Sequence, residues 1–172
     1  NELEWNNDKP YVIYGYAAVP PNKTLNVSEG TQVHFHRNSG LVTFPNANLN
    51  VNGSIENLAV FQGDRLEPSF EDTPGQWDGI WISQDSDASI SNAVIKNAVD
   101  GLFINKNKLP VNLTNLQIYN CEKNALLLQV ANVIGKNIVT NNCGVAGLNI
   151  NFGGTYDFTH CTFANFWSRQ NQ

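Results

Sequence analysis

The sequence has no methionine, only three cysteines and few charges, with Asp, Glu, Lys and Arg making up 15% of it. Each shortage excludes something. Three cysteines, Cys121, Cys143 and Cys161, are an odd number and cannot form a complete disulfide framework. So few charges are low for a helical protein, and Gly and Asn supply the turns instead. A net charge of −5 with no basic patch argues against a nucleic-acid partner. No apolar run approaches the ~20 residues of a membrane-crossing helix. A chain that starts at Asn1 and lacks Met is expected to be a processed or excised piece of a longer one. What remains, 172 residues, suits one domain with a sizeable core.

What is present is a repeat. Gly79 to Trp167 falls into four rows of ~22 residues that resemble one another column by column. One column pair holds Ile80/Ile82, Leu102/Ile104, Leu126/Leu128 and Leu148/Ile150. A second holds Ala93/Ile95, Leu116/Ile118, Ile138/Thr140 and Cys161/Phe163, and a third Ala88/Ile90, Val111/Leu113, Val133/Gly135 and Tyr156/Phe158. Every pair is spaced i, i+2, the period of a strand. Each row therefore carries three short strands with one face inward, and only stacking on other rows can bury that face. The expected fold is all-β: a right-handed parallel β-helix, a single solenoid of about six coils with strands ~4.8 Å apart.

A polar column runs in phase with the apolar ones. Asn97, Asn120, Asn142 and Asn165 follow at steps of 23, 22 and 23 residues. Asn tolerates the left-handed backbone of a corner, and stacked side chains can bond amide to carbonyl up the column. Cys121 and Cys143 directly follow two ladder positions, so they should stack in adjacent coils, either as small buried apolar residues or as a disulfide.

Residues 1–22 read as a lead-in, with Trp5 covering the open end of the first coil. The segment 11–16 reads as a first strand, broken by Pro20 and Pro21. Leu25/Val27, Val33/Phe35, Leu41/Thr43, Leu49/Val51 and Ala59/Phe61 then form two less regular coils, with either Leu41 or the pair Val42 and Phe44 inward. The early positions matched to the ladder are Arg37 and Gly63. Residues 64–78 break the period as an insertion at the ladder corner, and loops on rigid scaffolds often carry function. Residues 79–167 are the regular coils, and the sequence stops at Gln172 with nothing resembling a cap. An uncapped parallel edge invites pairing, so further domains of the same chain or a partner are expected to cover it.

The runs LNVSEGTQVHFHRNSG, NLNVNGSIENLAVFQGDRLEP and EDTPGQWDGIWI, with the AVIKNA and CTFANFW rows, carry a resemblance. They resemble β-helix domains of surface lipoproteins from Bacteroidota, FQGDRLE and PGQWDGIW being the most specific parts. The resemblance implies a longer chain with small β-sandwich domains ahead of the β-helix, lipid-anchored at the outer membrane or secreted, and of generally unassigned function. More distantly, the coils and Asn ladder are similar to pectate lyases and related polysaccharide-active β-helices, though a shared fold does not transfer an activity.

Three sites are candidates. Glu67, Glu71, Asp72 and Asp78, with Arg65 nearby, could supply oxygen ligands to Ca²⁺ as in a lyase of this fold, but no acidic column runs up one face. Glycosidase chemistry needs two opposed carboxylates, and Asp78, Asp85 and Asp87 do not pair convincingly. His34 and His36 share an outward face at a spacing seen in zinc sites, with Val60 and Gln62 expected alongside and no third ligand; His160 reads as surface. Trp77, at the insertion, and Trp81, on the outward side of its strand, read as exposed aromatics suited to sugar rings or a protein surface, and Trp81, Phe103 and Leu127 share one column as an outward apolar stripe, unless the 64–78 loop folds over it. Four N-x-S/T sequons, at Asn22, Asn26, Asn52 and Asn112, read as coincidental in an Asn-rich chain. The expectation is a non-catalytic scaffold or interaction domain binding a protein or glycan, with a polysaccharide-active enzyme as the alternative.

Overall fold

The structure, a computed structural model, describes residues 3–165. It is a parallel β-helix of about seven turns. The first turn holds β1 (Glu4–Trp5), β2 (Tyr11–Ile13) and β3 (Tyr16–Val19); the second holds β4 (Thr24–Ser28), β5 (Gln32–Phe35) and β6 (Gly40–Thr43). The third holds β7 (Asn48–Asn52), β8 (Ala59–Gly63) and β9 (Gly79–Ile82). From there β10 (Asp87–Lys96), β12 (Val111–Cys121), β13 (Asn124–Cys143) and β14 (Ala146–Thr159) each run through at least one corner without a break, while β11 (Leu102–Asn105) and β15 (Thr162–Phe163) stay on one face.

Three sheet faces result. The first stacks β1, β4, β7 and the leading halves of β10 and β12. The second stacks β2, β5, β8 and the trailing halves of β10 and β12. The third stacks β3, β6, β9, β11 and the leading parts of β13 and β14. The inward residues of all three meet in one core, which includes Leu25, Val51, Phe61, Ile80, Ile90, Leu102 and Leu113. Leu41 and Thr43 point inward, and Val42 lies on the outer side.

The count is one turn higher than the sequence suggested, because residues 1–22 contribute a full turn. Gly15, at φ 79°, splits the segment read as one strand into two. Trp5 is buried and stacks on Tyr11 at 5.1 Å between centroids, closing that end. The row predicted to reach Trp167 passes outside the described residues after Asn165.

Many corners turn on a single left-handed residue, and Asn takes this role more often than any other residue type among the described residues. Asn97, Asn120 and Asn142 have φ of 63°, 53° and 53°. Asn142 donates to Asn120 Oδ1 at 2.7 Å, and Asn165 Oδ1 accepts from Cys143 N at 2.9 Å. The expected bond between Asn97 and Asn120 is replaced. Asn97 Nδ2 donates to the carbonyls of Glu71 and Thr73, both at 2.9 Å, and Asn120 Nδ2 donates to Asp72 Oδ1 at 2.8 Å. The 64–78 insertion lies against this corner and supplies two backbone carbonyls and the Asp72 carboxylate in place of the neighbouring side-chain amide. A second ladder runs up another corner: Asn137 donates to Asn115 and Asn115 to Asn92, each at 2.8 Å.

The ladder's early register needs correcting. Phe35, not Arg37, pairs with Gly63. His34 therefore stands beside Gln62, and His36 is one residue past the Phe35–Gly63 pair, beside Asp64; the Val60 and Gln62 expected there are displaced by two residues. Cys121 and Cys143 are buried free thiols paired in register on adjacent turns, so the apolar alternative holds and no disulfide joins them.

Candidate ligand-binding face

The third face positions Trp81, Phe103 and Leu127 in one column, as the repeat predicts. Trp81 pairs with Val42 on one side and Phe103 on the other, Phe103 with Leu127, and Leu127 with Asn149. Alternation along each strand turns these side chains outward while Ile80 and Ile82 turn in. Trp81 is 39% exposed, and Phe103 meets its ring edge-on with centroids 6.2 Å apart. The loop does not cover this stripe.

Tyr16 extends the shelf. Its ring lies 5.9 Å from Trp81, centroid to centroid. It fits because Gly40 sits beside it: a Cβ there would approach Tyr16 Cε1 to 3.0 Å and the Gly79 carbonyl to 2.9 Å. The Tyr16 hydroxyl donates to Asp78 Oδ2. Burial, then the hydrogen bond and charge of Asp78, push the phenol up to about 12.

Beside the apolar column runs a polar one. Asn105, Gln129 and Asn151 pair in register on successive turns, two residues along from Phe103, Leu127 and Asn149. Among the described residues their side-chain amides make no hydrogen bond, whereas Asn26, Asn50, Asn92, Asn115, Asn124 and Asn149 all bond to other side chains. The sequence reasoning missed Tyr16, Val42 and this column, although the spacing of 105, 129 and 151 matches that of the stripe.

Trp77 does not belong to the stripe. It is fully buried, its ring flat on Phe35 with centroids 4.1 Å apart, and its Nε1 donates to the Lys96 carbonyl at 2.8 Å. An indole at the root of the insertion gains more from the core than from water.

The four carboxylates proposed for Ca²⁺ point to separate partners. Glu67 pairs with Arg65 at 3.0 Å, Asp72 accepts from Asn120 and Asp78 from Tyr16, while the Glu71 side chain is exposed. Among the described residues no three His, Cys, Asp or Glu side chains gather to hold a metal ion. His36 instead bonds Asp64, Nδ1 to Oδ2 at 2.7 Å, at the side of a cleft of about 320 Å³. Arg37, Arg65 and Phe70 also line that cleft, with the Arg65 guanidinium 3.8 Å from the Phe70 centroid. His160 is exposed at a corner, with φ 54°.

No family model matches this chain. No curated protein and no solved structure matches it either. The functional reading therefore rests on the geometry of the faces.

Proposed function

We propose that this chain is a non-catalytic interaction domain of a cell-surface lipoprotein, and that it binds carbohydrate on the face carrying Trp81. One observation carries the reading: an aromatic shelf of exposed Tyr16 and Trp81 and half-buried Phe103 runs beside amides with no hydrogen-bond partner among the described residues. Sugar rings offer apolar C–H faces to aromatic rings and hydroxyl edges to amides, so the two columns supply both halves of such recognition. The surface location is supported by the resemblance of the FQGDRLE and PGQWDGIW segments alone.

Retention on a panel of insoluble polysaccharides tests the binding. The wild-type chain should be held by at least one, and Trp81→Ala should release it while the chain stays folded, with a melting temperature lowered by no more than about 4 °C. Equal retention of the two proteins would move the binding off the Trp81 face, and retention on no polysaccharide, or capture of a protein partner only, would remove carbohydrate from the reading.

A polysaccharide-active enzyme is the second reading, favoured by the His36–Asp64 pair beside a cleft that also holds Arg37 and Arg65. The carboxylate would fix the imidazole with Nε2 as the free basic atom, the arrangement a general base needs. New reducing ends or unsaturated products from neutral or acidic polysaccharides, abolished in His36→Ala, would establish it.

A further inference from the structure

We propose that the third face takes a linear, uncharged polysaccharide laid along the helix axis, one sugar residue to each turn. This rests on the carbohydrate reading and names its ligand and orientation. Successive turns stand ~4.8 Å apart, close to the length of one sugar in an extended chain. Each central turn offers the same two groups in the same order, an apolar side chain and then a polar one: Phe103 with Asn105, and Leu127 with Gln129. One turn earlier Trp81 pairs with Phe103, and Ser83 follows it just past the end of the strand. A polymer running along the strands instead would meet one such pair and then a corner.

Charge selects among polysaccharides. The apolar column from Val42 to Asn149 and the polar column from Ser83 to Asn151 contain no charged residue, in a chain of net charge −5. The other two faces carry charge on their outward sides, at Asp87 and Lys136 on the first and at Lys96 on the second. At the rim Asp78 holds Tyr16, and Lys108 stands 3.8 Å from Asp85. An acidic sugar on this face would lose water around its carboxylate and meet no cation in either column. Neutral hydroxyls meet the amides of Asn105, Gln129 and Asn151, which both donate and accept.

Titration calorimetry with neutral oligosaccharides of increasing length, from monomer to hexamer, tests this on the intact chain. Affinity should climb with each added sugar until the turns from Trp81 to Leu127 are spanned, then level off, with little dependence on salt. Asn105→Ala should weaken the longer ligands about three- to tenfold. Gln129→Lys, a change at a half-buried position on the outer side of the strand that should leave folding intact, should weaken neutral ligands and create binding to their uronic-acid counterparts. An affinity that is flat beyond the dimer overturns the axial arrangement while leaving carbohydrate binding in place. Preference of the wild-type chain for acidic oligosaccharides overturns the charge argument. Binding to no oligosaccharide of either kind overturns this proposal and the reading beneath it together.

Discussion

Trp77 lies flat on Phe35, their planes 6° apart, and ties the insertion to the core of the second turn. Neighbouring Gly75 and Gln76 donate to the carbonyls of Ala98 and Asn97. The loop at 64–78 is therefore anchored at its root by a buried indole and at its crest by the Asn ladder.

Trp77→Ala should accordingly cost ~3–5 kcal/mol in urea unfolding, the range for removing a large buried aromatic. Trp81→Ala, with its ring on the outer face, should cost no more than ~1 kcal/mol. Equal losses would contradict the opposite placement of the two residues.

The second ladder gives a cleaner test of corner chemistry. Asn115 both donates to Asn92 and accepts from Asn137, and its φ is 52°. Asn115→Ala loses both bonds and leaves at φ 52° a residue that tolerates the left-handed region less well than Asn, so ~1–3 kcal/mol should be lost in thermal or urea unfolding. Asn115→Gly keeps the backbone geometry and should lose less. If Gly proves as damaging as Ala, the left-handed corner contributes nothing.

Tyr16 links pH to the binding shelf. Its phenol is pushed from 10.0 up to about 12, by burial first and then by Asp78. A group raised on folding contributes stability that is complete below the unfolded value, about 10, and is lost as pH rises through the folded value. Part of the alkaline stability should therefore fade between about 10 and about 12. Asp78→Asn should bring Tyr16 ionisation down toward its ordinary value, followed by phenolate absorbance. An unchanged titration in Asp78→Asn would sever the link between the two residues.

The thiols should react unequally. The contact with Cys143, then burial, raises the Cys121 thiol well above its ordinary range, and its side chain is fully buried. Cys161 is partly exposed. In the native chain iodoacetamide should label Cys161 well before Cys121, and urea should make all three alike, as read by mass spectrometry of peptides.

Much of this architecture could be read from the sequence wherever row length was constant. Ile80, Leu102, Leu126 and Leu148 stack as the repeat predicts, because the rows between them differ by only a residue or two. The early register slipped where row length varied. His34 pairs with Gln62 rather than Val60, a shift of two residues. Such a slip leaves every side chain on the same face, so the inward–outward pattern could not reveal it. The second ladder escaped notice because its corner takes one residue in an unbroken strand, with no Gly or Pro cluster to mark it. Trp77 was misplaced because the insertion erases the phase just before it, and only the repeated Asp-Gly of 78–79 and 100–101 restores it.

The most direct test of the central claim is residue-level mapping of a bound neutral oligosaccharide by NMR. The account predicts that shifts concentrate on the side-chain amides of Asn105 and Gln129 and on the Trp81 indole, with the first and second faces quiet. Shifts centred on His36 and Arg37, or spread evenly over the molecule, would contradict it.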